Sequence, residues 1–130
     1  MGLTEFLTGP KTNALADDEL ITGVLVRADA GSQTFMKVGP RNAMVIAVVS
    51  LALTVDHEQD EVRAAFGSAG PVPRLVREPL AELEGFAERV AEAASPIDDV
   101  RGTAVYRRHA LSVLAKRTLT WAWEERRACA

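Results

Sequence analysis

The chain has 130 residues, 48% of them apolar, and a formal charge of −3. That length suits one domain, the apolar share suits a packed core, and the negative balance argues against general attraction to nucleic acid. The single cysteine, Cys129, excludes an internal disulfide framework and fits a reducing, cytoplasmic setting.

Residues 1–6 lack the basic and apolar regions of a secretion signal. The longest apolar run, residues 43–53 with Ser50 inside it, is too short to span a bilayer. Residues 1–19 read as a polar lead-in with a turn at Thr8-Gly9-Pro10. The β-branched stretch 20–26 predicts a first strand, Ala30-Gly31-Ser32 a turn, and 34–38 a short extended piece ended by Gly39-Pro40. Residues 44–55 predict the main strand, with Val45, Ala47, Val49, Leu51, Leu53 and Val55 on one face. A polar hairpin loop at 56–60 leads into an antiparallel return over 61–67, with Val62, Ala64 and Phe66 on one side. The glycines and prolines of 67–73 are expected to stop the sheet.

From Arg74 the expected period is helical. Pro79 opens a short helix reaching Glu84 and ended by Gly85. A second helix runs from about 86 to 94, and Ser95-Pro96 breaks it. The last runs from about 103 to 126, with Thr103 as N-cap, a stripe through Leu111, Leu114/Ala115, Thr118, Leu119 and Ala122, and Arg126 and Arg127 at its C-terminal dipole. Strands first and helices after define an α+β fold: a small three-stranded antiparallel sheet packed against a C-terminal bundle of about three helices.

The residues contain no nucleophilic constellation and no metal-ligand spacing. Asp98-Asp99 is better explained as a helix-start feature, tied down by Arg101, than as an acid/base pair. Tyr106-Arg107-Arg108-His109 reads as a solvated or subunit-facing helix surface. His57 and His109 are too isolated for a zinc site. Pro71 and Pro73 remove amides that a phosphate loop at Gly67–Gly70 would need. Trp121 and Trp123, two apart on a helix, point to different sides. Lys37, between Met36 and Val38 beside a Gly-Pro bend, is either a snorkelling surface lysine or a cation offered to an anionic or electron-rich ligand.

The string Ser95-Pro96-Ile97-Asp98-Asp99-Val100-Arg101-Gly102-Thr103 with Tyr106-Arg107-Arg108-His109 resembles the closing motif of the flavoprotein subunit of molybdenum hydroxylases. That family includes the medium subunit of carbon monoxide dehydrogenase and the flavin subunit of xanthine dehydrogenase-like enzymes. Phe6-Leu7-Thr8-Gly9-Pro10, Phe35-Met36-Lys37-Val38-Gly39 and residues 66–73 resemble further family segments, in the same order. The sequence departs from many relatives at Val45, where they carry an acidic residue, and at Pro40 or Asn42, where they carry a basic one.

The resemblance implies an oxidoreductase component, not active alone. It would contribute a C-terminal domain to FAD-dependent electron transfer between iron–sulfur clusters and an external acceptor. It implies residues 1–19 as the tail of a preceding FAD-binding domain and 20–127 as the C-terminal domain. Ile21 and Lys37 are the implied FAD contacts, with no catalytic or metal-ligating residue and with the main flavin loops located elsewhere. The implied partners are a molybdenum-cofactor subunit, an iron–sulfur subunit and a separate flavin-binding chain. A non-catalytic subunit-interaction module and a non-functional remnant without FAD are the alternative readings.

Overall fold

The computed structural model describes residues 1–26, 28 and 31–129, with residues 125–129 described by backbone only. Ala30 of the expected turn, the side chains of Arg126 and Arg127 and the thiol of Cys129 fall outside that description.

The lead-in folds into a short helix α1 (Leu3–Phe6) and a two-stranded antiparallel pair, β1 (Leu7–Gly9) and β2 (Thr12–Asn13). Their turn brings Lys11 to φ 60°. The main sheet has four antiparallel strands in sequential order: β3 (Ser32–Val38), β4 (Val49–Asp56), β5 (Glu61–Gly67) and β6 (Arg74–Pro79). After β6 come a 3₁₀ turn at Leu80–Glu82, helix α2 (Phe86–Glu92) and helix α3 (Ala104–Cys129).

Period-two alternation sets which face is buried. Val49, Leu51, Leu53 and Val55 of β4 and Val62, Ala64 and Phe66 of β5 face the helices and are buried. Phe86, Ala87, Val90 and Ala94 close over them from the α2 region, and Ala110, Leu111, Leu114, Ala115 and Ala122 from α3. Removing a side chain such as Leu51 would cost about 2–5 kcal/mol through lost transfer energy and a cavity. The α3 stripe and the 56–61 hairpin lie where the periodicity puts them.

The expected three-stranded sheet is corrected to four strands, and the bundle of about three helices to two α-helices with a 3₁₀ turn. Residues 20–26 form no strand, because no other strand pairs with them. β6 replaces the helical reading from Arg74. Val76 packs on the core, and Pro79 sits at the end of an edge strand, where a missing amide is tolerated. The main strand begins at Val49 rather than Met44, because β3 ends at Val38, which pairs with Val49. Residues 44–47 run past that end without a ladder, leaving Met44 and Ile46 exposed.

Candidate functional site

The sheet face turned away from the helices is open. Cross-strand register places Phe35, Ala52, Ala65 and Leu75 in one row across all four strands. All four are exposed. Gln33, Thr54, Arg63 and Arg77 form the row on one side of it, and Lys37, Ser50 and Gly67 the row on the other.

Lys37 stands on this face near the end of β3. Its Nζ donates to the Val45 carbonyl oxygen at 2.9 Å, which folds the 39–48 connection back beside the strand. The accepting group is a backbone carbonyl, so the ammonium carries no counter-carboxylate there and keeps its donors for a further acceptor. Ile21 lies in the segment before β3, more than half exposed and in no strand. The structure therefore leaves both implied FAD contacts accessible but does not bring them together in one element.

The closing motif is a structural lock. Arg107 occupies the α3 stripe one turn before Leu111 and is 2% exposed. Its Nη1 donates to the carbonyl oxygens of Val48 at 2.8 Å and Ser68 at 2.6 Å, and its Nη2 to Asp99 Oδ1 at 2.5 Å. Arg101 holds the other Asp99 oxygen through Nε at 3.1 Å and Nη2 at 2.8 Å. The Arg101 side chain and backbone amide, with Arg107 behind them, hold the Asp99 carboxyl well below the usual carboxylate range. Asp98 Oδ1 accepts from the Ala104 amide at 2.5 Å, and Thr103 Oγ1 from the Tyr106 amide at 3.1 Å. Thr103 is thus the N-cap the sequence predicts, and Arg101 does pair with an aspartate.

Reading 106–109 as surface missed Arg107. The signal was present: 107, 111, 114 and 118 share one helical face. Among the described residues no group of three or more histidines, cysteines or carboxylates can hold a metal ion. His57 packs instead against Trp123, with ring centroids 6.4 Å apart and planes tilted by 57°. Trp121 and Trp123 are both exposed.

A flavin dinucleotide needs amides for its pyrophosphate and a flat or cationic wall for its ring. The exposed Lys37 offers a cation of the kind such a wall uses, whereas Ile21 is neither flat nor charged. The α3 N-terminus does not suit the pyrophosphate, because Asp98 and Thr103 already take its amides and Asp98 adds negative charge. What these residues offer such a group is a cation at Lys37, with no pyrophosphate cradle at the α3 N-terminus.

A four-stranded antiparallel sheet covered on one face by two helices, with its other face and Lys37 open, is an α+β domain. Residues 34–122 match the family described as CO dehydrogenase flavoprotein C-terminal domain, and the chain belongs to that family. Among solved structures, the fold matches carbon monoxide dehydrogenase from Hydrogenophaga pseudoflava, in a form that lacks the Mo-pyranopterin moiety of the molybdenum cofactor. The TM-score is 0.76 at 18% identity, over 93% of this chain. The match covers 47% of the matched chain of that enzyme, so this chain spans about half of that chain's length. No curated protein matches the sequence. Among the described residues, no helix is long and apolar enough to cross a membrane.

Proposed function

We propose that the chain supplies the C-terminal domain of the flavoprotein subunit in a carbon monoxide dehydrogenase-type molybdenum hydroxylase. The observation that carries this reading is family membership over residues 34–122, joined to an open sheet face that presents Lys37. Residues 1–19 belong to the tail of a preceding flavin-binding domain, and residues 20–127 to the C-terminal domain. Lys37 and Ile21 border the flavin, with Lys37 offering a cation to its electron-rich edge. FAD, when bound, supplies an electron relay between iron–sulfur clusters and an external acceptor. The pyrophosphate is held by amides outside residues 1–130. The partners are the molybdenum-cofactor subunit, the iron–sulfur subunit and the flavin-binding domain itself, and the complex works in the cytoplasm.

The test is purification of the tagged full chain from its own host, followed by flavin quantification and identification of co-purifying chains. FAD is expected in a complex with iron–sulfur and molybdenum subunits and absent from the 130-residue chain alone. Within the complex, Lys37→Met is expected to weaken FAD retention about tenfold, while the isolated chain stays folded with a thermal midpoint lowered only slightly by loss of the bond to Val45. Stoichiometric FAD on the isolated chain, or a chain that meets none of these subunits, would overturn the reading.

A further inference from the structure

The two edges of the main sheet are built differently. β6 carries Arg74, Arg77, Glu78 and Pro79, the charges and proline that keep an edge strand from pairing. β3 lacks such protection. It holds seven residues in unbroken register with β4, no proline, and one charged side chain, Lys37, whose Nζ is engaged by the Val45 carbonyl oxygen. No strand among the described residues lies beyond it.

The helix layer is open on the same side. Helix α3 packs over β3 and β4. Lys116 pairs with Glu88 of α2 at 2.6 Å, and Arg89 of α2 with Glu78 of β6 at 2.8 Å, so α2 lies on the β6 side of α3. The opposite flank of α3 therefore overlooks the β3 edge. Tyr106, Ala110, Arg117 and Trp121 follow one another along that flank at helical spacing, beside Val113 and Leu114. Tyr106 is 47% exposed and Trp121 56%. Below them, Met36 and Val38 of β3 are only partly buried against the core. An aromatic-bearing helix flank above an unguarded strand is a contact surface without its contact.

A second copy of the chain fits both layers at once. Antiparallel pairing of β3 with its own copy, about a two-fold axis at Phe35, sets Phe35 against Phe35, Thr34 against Met36 and Gln33 against Lys37. The strand's single charge then meets a neutral amide rather than its own like. In the layer above, strands about 4.8 Å apart, with each α3 axis over the line between β3 and β4, bring the two α3 helices to about 10 Å, an ordinary packing distance. The axis also lines the helices up. Arg107 binds Val48 and Trp123 meets His57, so the middle of α3 stands over Ala52, the residue paired with Phe35. An antiparallel helix pair centred on Val113 and Leu114 puts Tyr106 of each copy beside Trp121 of the other, and Arg117 beside Ala110 rather than beside Arg117.

We propose that the chain self-associates as a two-fold dimer through the β3 edge and the adjoining flank of α3. The four strands of each copy join in one continuous sheet, with the two α3 helices packed together on one face. The ladder and helix flanks bury on the order of 1,000 Å², the lower end for a specific dimer, so the association is reversible and moderate. The sheet face that carries Lys37 stays open on both copies, and the inference does not depend on the function proposed above.

The test is sedimentation equilibrium of the full chain over a concentration series. A monomer–dimer equilibrium with Kd on the order of 10 μM is expected. Phe35→Lys sets two like charges against each other at the axis, as does Phe35→Glu with the opposite sign, and each is expected to weaken the dimer at least about tenfold. Mixed in equal amounts, the two variants are expected to associate at least as tightly as the parent chain, because a residue on the axis meets its own counterpart. Trp121→Ala is expected to weaken association about tenfold. All three are expected to keep the parent's unfolding midpoint at concentrations where the chain is monomeric, since Phe35 and Trp121 are exposed. A chain that stays monomeric throughout, an association indifferent to these variants, or charged variants that do not recover on mixing would overturn the inference.

Discussion

The carbonyl oxygen of Val55 lies 2.2 Å from the point where a Cβ on Gly31 would stand. Only a glycine fits at the start of β3, where Ser32 pairs with Val55. Because the obstacle is backbone in a central strand, it cannot swing aside. Gly31→Ala is expected to destabilise the chain by about 2–3 kcal/mol, measured by urea unfolding. Gly23→Ala, with nothing within 4 Å, serves as the neutral control.

Arg107 fastens α3 to two carbonyls and to Asp99. Arg107→Ala strands the Val48 carbonyl in a buried position and removes one partner of Asp99. The expected loss is about 3 kcal/mol, read as a lower urea midpoint. Arg107→Lys is expected to recover less than half of it, because one ammonium cannot reproduce the forked geometry.

The paired Asp99 carboxylate gives the fold an acid-sensitive term. Its pKa is depressed below the ordinary 3.8 by Arg101 first, with help from Arg107. At pH values between the depressed and the ordinary pKa, the unfolded chain binds the proton and the folded chain does not, so stability rises with pH there. The contribution is complete above the ordinary value and falls away as pH drops toward the depressed one. Glu88, lowered by its bond to Lys116, acts in the same direction, though that pair is exposed and weak. A series of urea midpoints from neutral pH to pH of about 3 should bend downward below about pH 4. Asp99→Asn should flatten that bend; an unchanged acid limb would assign the sensitivity to other carboxylates.

Asp56 shapes the β4–β5 hairpin. Its Oδ1 accepts the amides of Glu58 at 3.1 Å and Gln59 at 3.0 Å, and its Oδ2 takes Arg63 at 2.9 Å. Asp56→Ala is expected to cost about 2 kcal/mol, and Asp56→Asn about half of that because the amide oxygen still accepts from the loop. Thermal unfolding of the two variants side by side distinguishes them.

Local rules carried much of the fold into the sequence. Alternation at Val49–Val55 and Val62–Phe66 announced the buried sheet face, and Thr103 announced the start of α3. The misreadings share one cause: strand identity depends on a neighbour. Residues 20–26 have strand composition but no partner among the described strands. Arg74–Pro79 looked like a helix start yet found an edge beside β5. The site was legible only in part. Lys37 stood out for its apolar neighbours, whereas the row it joins, with Ser50 and Gly67, exists only once the register is fixed. Arg107 was hidden because a charged residue on a helix is ordinarily solvated, and the carbonyls it satisfies are far away in sequence.

That separation has a kinetic consequence. Val48 and Arg107 are 59 positions apart, so their bond forms only after the sheet and both helices have been gathered in. Interactions completed after the folding barrier govern how fast the native state opens, not how fast it is reached. Stopped-flow measurements on Arg107→Ala should show unfolding accelerated and refolding nearly unchanged. A refolding rate that falls in proportion to the lost stability would place the contact in the nucleus instead. With the contact formed late, Arg107 sets how long a folded molecule stays folded.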